Sequence, residues 1–117
     1  MVNQYINVTN AENVVLIKAS LDAFITQEES KVYVSCCPAF DLYSQGETKK
    51  EARDNIIEAT ELLFETCIED QTLDQMLANY GFHPAKKRRT KKVEAPPEFK
   101  DSEPFKIPVE LPMMAYG

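Results

Sequence analysis

The fold of this chain is decided by the stretch CCPAFDLYSQGETKKEA at residues 36–52. Pro38 has no backbone N–H to donate to a neighbouring strand, so it indicates either the end of a strand or an edge position. Residues 40–43 can form a short further strand, and Gly46 indicates where that strand stops. The stretch therefore predicts a strand, a turn and a second strand before a helix begins.

A helix is predicted over residues 49–68. Thr48 and Glu51 have the spacing of a capping box, in which two side chains bind the free backbone N–H groups of a helix start. Apolar side chains recur every three or four residues and predict a buried stripe, namely Ala52, Ile56, Ala59, Leu63 and Cys67, widened by Ile57, Leu62, Phe64 and Ile68. The opposite face is acidic and consists of Glu51, Asp54, Glu58, Glu61, Glu65 and Glu69.

A second, shorter helix is predicted after the first. Thr72 and Gln75 have the same capping spacing and precede a two-turn apolar pattern that ends near Tyr80. Gly81 fits the left-handed residue that commonly closes a helix.

The region before residue 36 predicts a hairpin. The odd positions of residues 13–25 are almost all apolar, which is typical of a strand. Val14, Ile17, Leu21 and Phe24 also fit helical spacing, so the pattern favours a strand only slightly. Residues 31–37 alternate again after a polar turn, which predicts the partner strand.

The composition changes after Phe82. Six of the seven prolines lie in residues 84–112, and a basic run comprises Lys86, Lys87, Arg88, Arg89, Lys91 and Lys92. We therefore predict one α+β domain over residues 1–82, a basic, proline-rich linker over 83–104 and a C-terminal tail over 105–117. Within the tail, alternation predicts an edge strand over 105–111.

Charge is distributed unevenly along the chain. Residues 1–82 carry 5 Lys and Arg against 14 Asp and Glu, a net charge of −9, whereas residues 83–117 carry 8 against 5, a net of +3. An acidic body repels nucleic-acid backbones and attracts a basic protein. Three cysteines without a Cys-x-x-Cys pair fit a reducing compartment, and no apolar run is long enough to span a membrane, so we expect a cytoplasmic protein.

Residues that could carry out chemistry are few. Asp22, Asp41 and Glu47 could together bind a catalytic metal ion if the fold placed them side by side, but ordinary surface and turn acids explain them better. A cysteine nucleophile would need a base, and His83 is the only histidine. We predict no enzymatic activity, no metal site and no cofactor.

An ordered set of motifs resembles the HicB-type antitoxins. It comprises YVSCCPAFDLYSQGET at residues 33–48, the Glu-Ala pairs at 51–52 and 58–59, the segment 72–82 and a late strand of the type 107–112. No single tripeptide among them is specific, but their order is. The resemblance favours the strand interpretation of the region before residue 26.

The resemblance implies a partial ribonuclease-H-like fold without its catalytic carboxylates. Its order is a three-stranded antiparallel meander, a long helix, a short helix and a late edge strand. The region after Phe82 is too short and irregular for the DNA-binding domain of the longer HicB members. Direct DNA binding is therefore not expected.

The resemblance also implies a function, which is to bind and neutralise a small, basic mRNA-cleaving toxin of HicA type. The expected partner-binding residues are Pro38, Phe40, Asp41, Tyr43, Ser44, Gln45, Glu58, Glu61 and Glu65. Two alternatives stay open: an orphan regulatory module that binds nucleic acid through the run at 86–92, and a cryptic metal-dependent nuclease. An exposed sheet edge further predicts a homodimer or a higher homo-oligomer.

Overall fold

The structure of the chain is a computed structural model that describes residues 4–11, 14–85, 88–90, 96, 99 and 102–114. Its elements are β1 (Tyr5–Ala11), β2 (Val14–Gln27), β3 (Tyr33–Cys37), a 3-10 turn (Pro38–Phe40), β4 (Leu42–Gly46), α1 (Lys49–Glu69), α2 (Leu73–Asn79), β5 (His83–Ala85), β6 (Arg88–Thr90) and β7 (Glu103–Met114). The predicted α+β class is confirmed, with the meander β2-β3-β4, the long and short helices and the late edge strand.

Strand β2 is the centre of a sheet in the order β4-β3-β2-β1-β6-β5, and β7 also pairs with β2. Residues 14–20 pair antiparallel with both β1 and β7, so these two strands flank β2 on opposite sides. Residues 24 and 25 pair with both β3 and β7, which puts β3 on the same side as β1. The two early strands therefore follow one another along one side of β2, and β7 covers the other.

The alternation in β2 is that of a strand, and the helical alternative is wrong. Five alternate residues of β2 are buried on one face, namely Ile17, Ala19, Leu21, Ala23 and Ile25. The first four of them pack in one core with buried residues of α1 and α2, among them Ile56, Phe64 and Leu77. The helices therefore lie on this face of the sheet, which we call the helix face, and the even-numbered residues of β2 lie on the outer face.

The start of α1 is capped largely as predicted. The Thr48 hydroxyl accepts a hydrogen bond from the Glu51 N–H at 3.0 Å, and the Glu51 carboxylate accepts one from the Glu47 N–H at 3.4 Å, one residue earlier than in a standard capping box. Residue Thr72 does not cap α2 with its side chain, so the second capping box is wrong. Its ψ of 13° departs from the extended backbone that Thr48 adopts with ψ of 160°.

Two boundaries around the meander differ from the prediction. The strand expected over residues 40–43 is β4, which begins at Leu42 and includes Gly46 as its last residue. The preceding Pro38 starts a 3-10 turn, because its fixed φ suits the first turn of a helix. Gly81 has the predicted left-handed backbone, with φ of 86°.

The structure adds three strands that the sequence did not predict. Strand β1 pairs along the whole first half of β2, and β6 extends the sheet from β1 through the pairs Tyr5–Thr90 and Ile6–Arg89. Strands β5 and β6 lie inside the predicted linker. Backbone pairing at a sheet edge does not need apolar side chains and tolerates Pro84, so composition alone indicated a linker there.

Part of the remaining predicted linker is also packed. Phe99 is only 2% exposed, and its N–H donates to the Pro96 carbonyl at 2.8 Å. Its ring centroid lies 6.2 Å from that of Tyr43, on the outer face of the sheet. Strand β7 then runs farther than predicted, from residue 103 to residue 114 rather than 105 to 111.

Candidate protein-binding surface

The residues predicted to bind a partner do not form one surface. Phe40 is 2% exposed, and its ring packs edge-on against Phe64 at 5.6 Å and Tyr80 at 5.5 Å between centroids. It stacks on Phe82 at 5.4 Å. Phe40 therefore joins the 3-10 turn to both helices in the core, and its side chain is out of reach of a partner.

Asp41 is explained by the turn in which it lies. It is exposed, has a left-handed backbone with φ of 53°, and donates its N–H to the Pro38 carbonyl at 3.3 Å. Asp and Asn tolerate this backbone region better than most residues, so the turn accounts for an aspartate here. Pro38, which opens the same turn, is half-buried.

Tyr43, Ser44 and Gln45 alternate along β4. Tyr43 is 51% exposed and Gln45 is exposed, whereas Ser44 is half-buried. Tyr43 pairs with Cys36, which in turn pairs with Phe24, so it belongs to the outer face of the sheet. There it lines a shallow depression of about 240 Å³ together with Thr26, Glu28, Val34 and Phe99.

The predicted acidic residues of α1 do come together. Glu58, Glu61 and Glu65 follow each other at helical spacing and line a shallow depression of about 250 Å³ around Leu62. The Leu62 side chain is 59% exposed, so its predicted place in the buried stripe is wrong. It lies three or four residues from Glu58 and Glu65, which puts it on the charged side of the helix.

We call these four residues, Glu58, Glu61, Leu62 and Glu65, the acidic patch. Within the described part of the chain, none of the three carboxylates forms an ion pair, in contrast with Asp54, which binds Lys50 at 2.6 Å. Because α1 covers the helix face, the acidic patch and Tyr43 lie on opposite sides of the sheet. One flat partner surface cannot contact both.

Contacts of two basic side chains join the start of α1 to β7. Lys49 binds Glu103 at 2.7 Å, Arg53 approaches the same carboxylate at 3.9 Å, and the Arg53 guanidinium lies 5.3 Å from the Phe105 ring centroid. The hydrogen bond and charge of Lys49 lower the pKa of the Glu103 carboxyl, and those of Glu103 raise the pKa of Lys49. Exposed pairs of this kind contribute little to stability.

The basic run is only partly described. Arg88 and Arg89 lie in β6, where Arg89 pairs with Ile6 of β1. The remaining members of the run, Lys86, Lys87, Lys91 and Lys92, lie outside the described residues. The proposed nucleic-acid contact at this run therefore stays a prediction from the sequence.

The acids considered for metal binding are not gathered by the fold. Across the described ranges, no group of three or more His, Cys, Asp and Glu residues could hold a metal ion. Asp22 instead forms an ion pair with Lys106 of β7, and Asp41 closes the turn after Phe40. The geometry thus gives the nuclease alternative no support.

All three cysteines are buried, as thiols rather than in disulfides. Burial raises the pKa of the Cys37 thiol from 9.0 to about 12, and the neighbouring Thr60 side chain opposes this shift only in part. A nucleophilic cysteine needs a lowered pKa, since the thiolate is the reactive form. Cys37 is therefore a core residue of β3.

The Cys37 thiol should make stability depend on alkaline pH. Its folded pKa exceeds its unfolded pKa, so the protonated thiol stabilises the fold fully below about pH 9 and loses that contribution as pH rises towards 12. We expect a loss of about 2–3 kcal/mol by roughly pH 11. Urea unfolding at several pH values, compared with a Cys37→Ala variant, isolates this loss; equal pH slopes for both proteins would contradict it.

Comparison with known proteins gives no relative. No protein-family model, no curated protein and no solved structure matches this chain. Of the helices that the structure describes, none is both long enough and apolar enough to cross a membrane. The surface and the motifs of the sequence are therefore what indicates the function.

Proposed function

We propose that this chain is a non-enzymatic, antitoxin-like protein that binds and neutralises a small, basic mRNA-cleaving toxin of HicA type. The observation that carries the proposal is the acidic patch, three carboxylates without an ion pair among the described residues around an exposed leucine. The motifs that resemble HicB-type antitoxins support the choice of partner. A toxin that cleaves RNA needs a basic surface, and that surface is what an acidic patch attracts.

The patch has the two components of a protein-binding surface. Leu62 offers an apolar side chain that a partner can cover, and burying an exposed leucine contributes about 1.5–3 kcal/mol. The carboxylates around it favour lysine and arginine in the partner and speed up association. The toxin would therefore present an apolar side chain flanked by basic residues, and the patch would compete with RNA phosphates for those residues.

We place the complex in the cytoplasm, which the three unbridged cysteines support. Self-association of the antitoxin-like chain stays a prediction from the sequence. The same holds for nucleic-acid binding through the basic run, for which the described residues supply no additional argument.

Charge reversal in the patch tests the proposal. We expect the triple variant Glu58→Lys, Glu61→Lys, Glu65→Lys to bind a HicA-type toxin at least about 30-fold more weakly, because three attractive contacts become repulsive. Calorimetry at low salt would measure the affinity, and an RNA cleavage assay would show whether the toxin is active again.

The matched control is Glu29→Lys, Asp70→Lys, Glu110→Lys, which changes the net charge equally at three exposed positions outside the patch. It should retain most of the affinity. Equal losses in both triple variants would show that only overall charge matters, which would reject the patch as the binding site. If the unmodified chain neither binds HicA-type toxins nor restrains their RNA cleavage, the proposed function itself is wrong.

A further inference from the structure

Strand β7 is the longest edge of the sheet. In the part of the chain that the structure describes, its 12 residues pair with β2 alone, so one side of β7 faces away from the sheet. An open edge of this length usually invites a strand from another chain. Whether this edge can accept one depends on the backbone of β7 itself and is independent of the proposed function.

Prolines recur along β7 at every fourth residue, at Pro104, Pro108 and Pro112. Successive residues of a strand direct their N–H and C=O groups alternately to its two sides. The backbone groups of all three prolines therefore point to the same side of β7. Because proline has no N–H, that side can lack up to half of its hydrogen-bond donors.

A hydrogen bond on the opposite side of β2 shows which side of β7 this is. The Asp22 N–H donates to the Gln4 side-chain oxygen at 3.1 Å, and Gln4 directly precedes β1. The backbone of Asp22 thus faces β1 and points away from β7. Asp22 and Lys106 lie directly opposite each other in the pairing of β2 with β7. Because the backbone groups of Asp22 point away from β7, the two residues form a non-hydrogen-bonded pair, and the backbone groups of Lys106 point away from β2.

The even-numbered residues of β7 therefore face outward, and the prolines are among them. Three of the six outward positions from residue 104 to residue 114 have no N–H. The inward positions, which include Ile107 and Val109, keep their donors for β2. Pro104 and Pro108 are also exposed, so their rings occupy the space that an incoming carbonyl would need.

We infer that the outer edge of β7 is closed to strand addition by a second copy of this chain. The edges at β4 and β5 offer little room. Strand β4 has five residues, and its Gln45 carbonyl already accepts a hydrogen bond from the Asn55 side chain at 2.8 Å. Strand β5 has three residues, one of them Pro84. A homodimer would therefore not form by strand pairing along β7.

Restoring the missing donors tests the inference. We expect the variant Pro104→Thr, Pro108→Thr, Pro112→Thr to self-associate at least about tenfold more tightly than the unmodified chain in sedimentation velocity. The backbone amide of Glu110 faces outward, so its hydrogen exchange shows whether a strand has paired with this edge. Its hydrogen exchange should slow with rising concentration in the variant and stay independent of concentration in the unmodified chain. A Glu110→Thr variant controls for strand propensity, because that outward position already has an N–H.

Two results would overturn the inference. One is concentration-dependent protection of the Glu110 amide in the unmodified chain, which would show that the edge already accepts a strand. The other is a folded triple variant that associates no more tightly than the control. If the triple variant does not fold, the single Pro108→Thr variant takes its place. In the unmodified chain, the backbone amide of Val109 faces β2 and should therefore exchange more slowly than the amide of Glu110.

Discussion

The Phe40→Ala variant should lose about 3–5 kcal/mol of unfolding free energy. The Phe40 ring is buried and touches Phe64 of α1, Tyr80 at the end of α2 and Phe82 beyond it. Its removal leaves a cavity where the 3-10 turn meets both helices. Aromatic pairs in these geometries add to the energy of burial, so the loss should lie in the upper part of the range for large core residues.

Urea unfolding measures this loss, and Tyr43→Ala provides the control. Tyr43 lies three residues away and belonged to the same predicted binding residues, but it is half exposed. We expect its replacement to cost less than about 1 kcal/mol. A Phe40→Ala variant that is as stable as the unmodified chain but fails to bind a toxin would show that Phe40 is a contact residue after all.

Short-range signals in the sequence predicted much of the fold. The alternation in β2 and β3, the capping of α1 by Thr48 and the left-handed Gly81 are each set by a few neighbouring residues. Such features survive in the tertiary structure because they agree with it. The capping box at Thr72 had the right residues, but its backbone angles do not let the side chain cap α2.

Long-range pairing was not predictable in the same way. Strands β1, β5 and β6 are short or polar. β1 pairs with the adjacent β2 and β5 with the adjacent β6, but the pairing of β6 with β1 joins segments that are distant in the sequence. Ile6 pairs with Arg89 across more than eighty residues, and nothing near either residue indicates the other. The linker prediction missed β5 and β6 because a high content of proline and lysine indicates only the local conformational preference of the backbone. An edge strand needs only backbone groups with which to pair.

The candidate surface was likewise predicted only in part. Helical spacing was enough to gather Glu58, Glu61 and Glu65 on one face. It could not decide on which side of α1 the core would end, and so Leu62 was assigned to the core. Phe40 was assigned to the binding surface because it lies in the motif that resembles HicB-type antitoxins, whereas it lies in a 3-10 turn and is buried in the core.

The Gly46→Ala variant should be destabilised by about 3 kcal/mol, near the upper end for overpacking. A Cβ atom at residue 46 would lie 2.5 Å from the Ala52 nitrogen and 2.8 Å from the Glu51 Cβ. The first of these atoms belongs to the backbone of α1, so the clash cannot be relieved by a side-chain rotation. Either β4 or the first turn of α1 must move.

Movement there is resisted on both sides of the glycine. The Ser35 hydroxyl donates a buried hydrogen bond to the Ala52 carbonyl at 2.8 Å, and the Asn55 side chain binds the Gln45 carbonyl. A shift of α1 large enough to admit a methyl group would strain or break these bonds. Breaking the first would leave a buried polar group without its partner, which is itself costly.

Urea unfolding of Gly46→Ala is best compared with Gln45→Ala. Gln45 is exposed and its hydrogen bond to Asn55 uses the backbone carbonyl, so we expect its replacement to cost less than about 1 kcal/mol. A loss below about 1 kcal/mol for Gly46→Ala would mean that α1 is not held as closely against β4 as the contact distances imply. Because the acidic patch lies within α1, the folded Gly46→Ala protein should still bind the toxin, and this separates loss of stability from loss of the binding surface.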